Sequence, residues 1–326
     1  MVKILGLILL GVVVLILLGI LYGGSRWQAH TQALLAGLNS QEPSPTPYDP
    51  SELEGLPAPV QRYFRTVLSA GQPLVQSVRL KHKGTFNLSA SGEQWRPFTS
   101  EQWVTTRSPG FLWNAQVTMA PGMMARVHDA YIQGEGILHA TLFGLIPLVN
   151  LRDRDKTATG ELMRWFAETP WYPTALLPSQ GVRWDPVDNA SAWATYQDGP
   201  LSLTALPLGT YNRRSRKFPL AAGWGSAPRK AGTGSVSPAM ENPRKGCKLL
   251  FRFNEAGLIQ SVRAEARGRT VNGEIIPTPW EGHWSNYERR QGLLVPTSGE
   301  VAWILPDGAH PYWRGQITEI AYEFAQ

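Results

Sequence analysis

The run Phe111-Leu112-Trp113-Asn114-Ala115-Gln116-Val117-Thr118-Met119 alternates: its odd positions make one apolar face and its even positions a more polar one. A period of two is that of a strand with one side on a core. Val262, Ala264 and Ala266 alternate in the same way with Arg263, Glu265 and Arg267, and Thr318, Ile320, Tyr322 and Phe324 end the chain on this rhythm. Similar runs near 75–90, 94–107, 123–133, 190–197, 247–254 and 298–305 are bounded by turn signals such as Ser108-Pro109-Gly110 and Pro306-Asp307-Gly308. Short connections between about ten strands require mostly antiparallel pairing. The expected class is α+β, mainly β: a strongly curved, half-barrel-like antiparallel sheet with one or two packed helices and an N-terminal transmembrane helix.

Two helices are expected against that sheet. Val60, Tyr63, Phe64, Val67 and Leu68 share a face after Pro59, and Gly71 and Pro73 stop the segment. Leu162, Trp165, Phe166 and Thr169 share another, with Thr159 as the expected cap and Pro170 as the end. The following Trp171-Tyr172-Pro173-Thr174-Ala175-Leu176-Leu177-Pro178 is too rich in proline for a helix and too apolar for a solvated loop, so it must lie on something apolar.

Ile4 to Tyr22 is an apolar run interrupted only by glycines, long enough to cross a hydrocarbon core of about 30 Å. It exceeds the apolar core of a signal peptide, and Leu21 and Tyr22 suit a cleavage site poorly, so an uncleaved anchor is expected. Lys3 and the chain's amine precede the span, and after it come Arg26 and then no Lys or Arg until Arg62, while Glu42, Asp49, Glu52 and Glu54 accumulate; the positive-inside rule then favours a C-terminal domain outside the cytoplasm. The expected organisation is an anchor over 1–25, a juxtamembrane helix and Pro-rich linker over 26–55 that holds the domain off the bilayer, and an extracytoplasmic β-rich domain over 56–326. The expected location is the inner (cytoplasmic) membrane, crossed once.

Composition narrows the functional classes. Apolar residues make up 43% and charged residues only 17%, which excludes a disordered tail. A single cysteine, Cys247, excludes a disulfide framework and a cysteine-rich zinc site. Residues 207–246 read as an inserted loop with eight basic residues against one acid, while the whole chain carries only +6. Within it Arg213, Arg214, Arg216 and Lys217 are candidates for contact with anionic headgroups; the simpler reading is a solvated loop. Tyr211, Phe218 and Trp224 are too scattered to stack bases, so no nucleic acid is expected.

Motifs of catalysis are sparse. There is no nucleophile elbow, P-loop or dinucleotide fingerprint, and the histidines lack metal-ligand spacing. No cofactor and no metal are expected. Asp153 and Asp155 in Arg152-Asp153-Arg154-Asp155-Lys156 could be an acid/base pair, but a self-neutralising loop before a helix explains them. Glu281 and His283 would share one face of a strand, opposite Trp280 and Trp284, and could be a general acid/base pair, but an exposed structural pair at the sheet surface explains them better. The aromatic and aliphatic excess says more. Phe143, Leu145, Trp165, Phe166, Trp171, Tyr172 and Leu176 are either the plug of a core or the lining of an apolar cavity between helix and sheet.

Leu56-Pro57-x-Pro59-Val60-Gln61-Arg62-Tyr63-Phe64, Gly160-Glu161-Leu162-Met163-Arg164-Trp165 running into Trp171-Tyr172-Pro173-Thr174-Ala175-Leu176-Leu177-Pro178, and Pro277-Thr278-Pro279-Trp280-Glu281-Gly282 resemble a family of uncharacterised bacterial membrane-anchored proteins of unknown function. The resemblance implies no activity or site residues. It also implies that Leu201-Ser202-Leu203-Thr204 should run almost directly into a segment like Phe251-Arg252-Phe253, so 207–246 is an addition. The expected architecture is similar to the half-barrel of periplasmic lipoprotein carriers, an analogy of fold alone.

The leading expectation is a non-enzymatic, membrane-anchored envelope protein that binds an apolar or amphipathic ligand such as a lipid or acyl chain. The alternative is a scaffold with an envelope protein partner; a hydrolase using Glu281 and His283, or Asp153 and Asp155, comes third.

Overall fold

The computed structural model describes residues 2–38, 47–89, 92–196, 246–271 and 274–325. Among these, thirteen strands form one antiparallel sheet: β1 (Val75–Asn87), β2 (Trp95–Thr105), β3 (Gly110–Ala120), β4 (Met123–Ile132), β5 (Glu135–Leu142), β6 (Ile146–Asp153), β7 (Val182–Pro186), β8 (Ser191–Tyr196), β9 (Cys247–Phe253), β10 (Ile259–Val271), β11 (Glu274–Arg290), β12 (Leu293–Leu305) and β13 (Gly308–Phe324). Their order is β6-β5-β4-β3-β2-β1-β13-β12-β11-β10-β9-β8-β7. Two meanders therefore meet where the long terminal strand β13 pairs with β1, from Val75 opposite Phe324 to Phe86 opposite Trp313.

A single helix, α3 (Lys156–Ala167), shows how far this sheet bends. It follows β6 at one edge, leads to β7 at the other, and packs against both β5 and β10. Those two strands are eight positions apart in the order, about 38 Å if the sheet were flat, whereas a helix is only about 10–12 Å across. The sheet must wrap around α3. The curved antiparallel sheet expected from the period-two runs is present.

The sequence suggests about ten strands because β5, β6 and β7 do not show the period, whereas β4, β9 and β10, which also pack near α3, are read at 123–133, 247–254 and 262–267. β4 is buried on both faces: Ala125, Val127 and Tyr131 face the main core, while Ala130 and Ile132 face a second cluster with Leu34 and Leu38. A strand covered on both sides loses the polar half of its period. The β5–β6 hairpin is hidden for a related reason. Its turn is Phe143-Gly144, with φ of 56° and 78°. Two-residue hairpins want two left-handed residues, and phenylalanine is an unusual choice for one of them.

The helix α1 runs unbroken from Val2 to Leu38. Its apolar side chains from Ile4 to Tyr22 are mostly exposed, and it is long and apolar enough to cross a membrane. Beyond them Trp27, Thr31, Leu34 and Leu38 fall on one helical face and are buried against the convex side of β2, β3 and β4. The juxtamembrane helix thus lies on the sheet rather than standing free, because this stripe needs an apolar partner. Tyr48 is also in the main core, its backbone bonded to Gln72 and Gly71. Residues 39–46 of the Pro-rich segment lie outside the described residues.

The helix α2 (Ala58–Val67) begins one residue before Pro59 and buries Val60, Tyr63, Phe64 and Val67. The start of α3 differs from the expected Thr159 cap. The Asp153 carboxylate accepts hydrogen bonds from the backbone N–H groups of Asp155 and Thr157, so the helix opens four residues earlier, at Lys156 after Asp155. Thr159 lies inside the helix and donates to the Asp155 carbonyl.

Candidate functional site

Five of the seven cavity candidates come together in the hollow of the sheet. Trp165, Phe166, Tyr172 and Leu176 are 0% exposed and Trp171 is 2% exposed, so no water-sized space touches the first four. They sit on α3, on the 3-10 turns Thr169–Trp171 and Pro173–Leu176 and, in the case of Tyr172, between those turns. Such broken backbone leaves carbonyls that a regular helix would satisfy internally, and buried carbonyls need donors. Aromatic side chains supply them. Tyr172 Oη donates to the Trp165 carbonyl at 2.5 Å, Tyr322 Oη to that of Trp171 at 2.7 Å, and Trp184 Nε1 to that of Leu176 at 3.0 Å. Each ring fills the core with its body and pairs the backbone with its polar tip.

One charged cluster lies in this plug. Arg164 on α3 bonds Asp129 of β4 at 2.6 Å and Glu168 at 2.8 Å, and Gln102 donates to the other Glu168 oxygen at 2.6 Å. The guanidinium also lies over the rings of Phe111 and Trp113. Burial, reinforced by the Asp129 carboxylate, pushes the Glu161 carboxyl well above its usual range. This cluster fastens helix to sheet, and its ion-paired side chains are largely buried, 11–17% exposed.

Phe143 and Leu145 are not part of the plug. They form the turn between β5 and β6, which meets α1. A Cβ on Gly23 would lie 2.4 Å from the Phe143 carbonyl oxygen, and one on Gly144 would lie 2.4 Å from that of Gly23. Only glycine allows these two backbones to approach so closely. The Leu145 side chain reaches Gly19, about 5 Å below the upper end of the apolar span at 1.5 Å per residue. Beside this tip the Phe143 N–H bonds to the Met124 carbonyl, and Met123, Met124 and Ile146 are exposed. Five large apolar residues thus collect where α1 leaves the span.

Two of the carboxylate candidates, Asp153 and Glu281, have structural partners. Hydrogen bonds from Thr157 and from the helix N-terminus hold the Asp153 carboxyl below its usual range in spite of its burial. Glu281 is flanked by Arg252 at 3.3 Å, Arg263 at 3.4 Å and His283 at 3.4 Å. It faces away from the core that takes Trp280 and Trp284. Arg213, Arg214, Arg216 and Lys217 lie outside the described residues.

One constellation was not visible in local spacing. His30 of α1, His128 of β4 and His139 of β5 bring one ring nitrogen each to within 4.8 Å of one another, close enough to hold a metal ion. Burial lowers the pKa of His128 to about 2 and that of His139 to about 4, so both rings are neutral. Trp27 stacks on His128 at 3.8 Å and on His139 at 5.3 Å. His128 and His139 stand opposite each other in the β4–β5 ladder. A turn centred on Gln133-Gly134 implies that pairing, so this was the signal available in the sequence.

A family model described as "Family of unknown function (DUF6920)" matches residues 54–207 and 232–322, and its gap falls inside the basic insertion. No curated protein matches. The crystal structure of a LolA superfamily protein from Nitrosomonas europaea is similar over 81% of this chain and 92% of its own, at 7% identity and a TM-score of 0.34. A likeness that distant assigns neither ligand nor activity.

Proposed function

The chain belongs to DUF6920, a family of unknown function, and from that premise we propose a non-enzymatic, membrane-anchored envelope protein that engages lipid at its base. The observation that carries this reading is Leu145 against Gly19: a hairpin tip of the domain lies at the depth of the apolar span. Met123, Met124 and Ile146 then meet the headgroup and acyl boundary, where exposed apolar side chains are stabilised. The aromatic plug is part of the core, so the apolar or amphipathic ligand is met at the base and not carried inside. Lys3 before the span, with only Arg26 soon after it, supports an extracytoplasmic domain.

The test uses the full chain in lipid nanodiscs with an environment-sensitive fluorophore on Ile146→Cys or on Gln133→Cys at the opposite end of the β4–β5 hairpin. Nitroxide lipids labelled near the headgroup should quench the first strongly and the second little. Equal, weak quenching at both positions would overturn the proposal. The filled core equally favours a scaffold, and a protein crosslinked through the base in place of lipid would establish that reading.

A further inference from the structure

The convex face carries a histidine cluster that neither the fold nor the seat on the membrane explains. Its chemistry follows from one hydroxyl. Thr31 Oγ1 donates to the Trp27 carbonyl at 3.0 Å and lies 2.8 Å from His128 Nε2. A hydroxyl has a single proton, and here it is already given to the carbonyl. His128 Nε2 must therefore carry the ring hydrogen and donate it to Thr31. The lone pair is left on Nδ1, which is buried without a hydrogen-bond partner, in a residue that is 0% exposed. The buried Nδ1 of His139 also lacks a partner. Leaving a buried acceptor unpaired is costly, so such atoms call for a partner.

Among the described residues no donor is placed on either Nδ1, although Arg26 and Arg152 lie near His30 and Arg26 near His139. The Trp27 indole stacks over both rings, and its Nε1–H is committed to Asn114 Oδ1 at 3.0 Å. Its ring is a fixed wall. One ring nitrogen tied to an oxygen while the other presents a lone pair is also the arrangement that orients metal-bound imidazole.

We propose that His30, His128 and His139 bind one divalent transition-metal ion of the zinc class. Imidazole donors select zinc, copper or nickel over magnesium or calcium, and three of them leave a four-coordinate ion one position for water or an anion. His30 is eight residues beyond Tyr22, about 12 Å above the end of the span, so the site lies clear of the hydrocarbon. With one ligand on α1 and two on the sheet, the ion clamps the anchor helix to the domain.

The experiment uses the full chain in nanodiscs, stripped with chelator and titrated with Zn²⁺ or Co²⁺. One Zn²⁺ per chain should survive gel filtration, and Co²⁺ should give the intense visible bands of a tetrahedral site. His30→Gln and His139→Gln change half-buried positions, and in chelator they should unfold at the wild-type temperature. Each should weaken Zn²⁺ binding at least about tenfold and abolish the rise in unfolding temperature that Zn²⁺ gives the wild type. The surface variant His283→Gln should bind normally. Wild-type retention of Zn²⁺ no better than that of His30→Gln, or a pale six-coordinate Co²⁺ spectrum, would overturn the proposal. Neither readout depends on contact between the base and lipid.

Discussion

His128 and Asp129 are consecutive residues of β4 that serve opposite sides of the sheet: His128 meets Thr31 of α1, and Asp129 meets Arg164 of α3. The alternation of a strand makes this arrangement unavoidable once both faces are covered. One strand therefore joins the anchor helix on the convex face to the plug on the concave face. The polar groups on both sides are largely buried, which makes their pairing decisive for stability.

Arg164→Met tests the concave side. It leaves Asp129 and Glu168 buried without their cation, a change that typically costs about 3–5 kcal/mol. Chemical denaturation should show a loss of that size. Adding Asp129→Asn and Glu168→Gln should recover much of it. A loss below about 1 kcal/mol for Arg164→Met would mean that the cluster contributes little.

Tyr172→Phe and Tyr322→Phe each remove a hydroxyl that satisfies a carbonyl of the plug while leaving the ring in place. Each should destabilise the protein by about 1–3 kcal/mol through the unpaired buried acceptor. Trp171→Ala instead opens a void beside His82 and Trp284 and should cost about 3–5 kcal/mol. Thermal unfolding of the three variants would rank them, and Trp171→Ala should be the worst.

Stability should also depend on pH through His82, which is buried on β1 with Nδ1 near Ser100 and Nε2 unpaired. Burial, with help from Arg164, lowers its pKa from 6.5 to about 3. The unfolded chain binds a proton in that window and the folded chain does not, so stability is full above pH 6.5 and falls as pH drops towards 3. The slope approaches about 1.4 kcal/mol per pH unit. His82→Phe should flatten this part of the profile. Glu161, with its raised pKa, acts in the opposite sense, so the difference between the two profiles is the quantity to compare. Parallel profiles for wild type and His82→Phe would refute the linkage.

Legibility in the sequence followed the number of faces a segment buries. β3 and β13 show their period because the residues between their core positions are largely polar or partly exposed. β5 and β6 read as one apolar stretch because α3 and α1 cover parts of them and because their turn uses Phe143. The plug residues from Trp165 to Leu176 were recognisable as a group, since proline and apolar residues coexist only on an apolar surface. Leu145 could not be separated from them without knowing that it ends a hairpin. His30 is further still from local reading: it meets His128 and His139 only when a helix 98 residues earlier than His128 lies on the outside of the sheet. Spacing rules for metal ligands describe single helices and loops, and this cluster is built by tertiary packing.

The contact between hairpin and anchor can be isolated by comparing two glycines. Gly144 has φ of 78° and Gly122 has φ of 72°, so alanine meets the same left-handed backbone at each, about 1 kcal/mol or more. They differ in what the new methyl would touch. At Gly122 nothing lies within 4 Å, whereas at Gly144 the Gly23 carbonyl oxygen would be 2.4 Å away. The excess loss in Gly144→Ala over Gly122→Ala therefore reports the packing of the hairpin on α1. Unfolding of the full chain in nanodiscs should show an excess of at least about 1 kcal/mol. Gly144→Ala should also expose Trp27 and raise its fluorescence quenching by iodide. Equal losses in the two variants would show that the hairpin is held by the sheet alone, and that α1 is fastened to the domain only through Trp27, Thr31, Leu34 and Leu38.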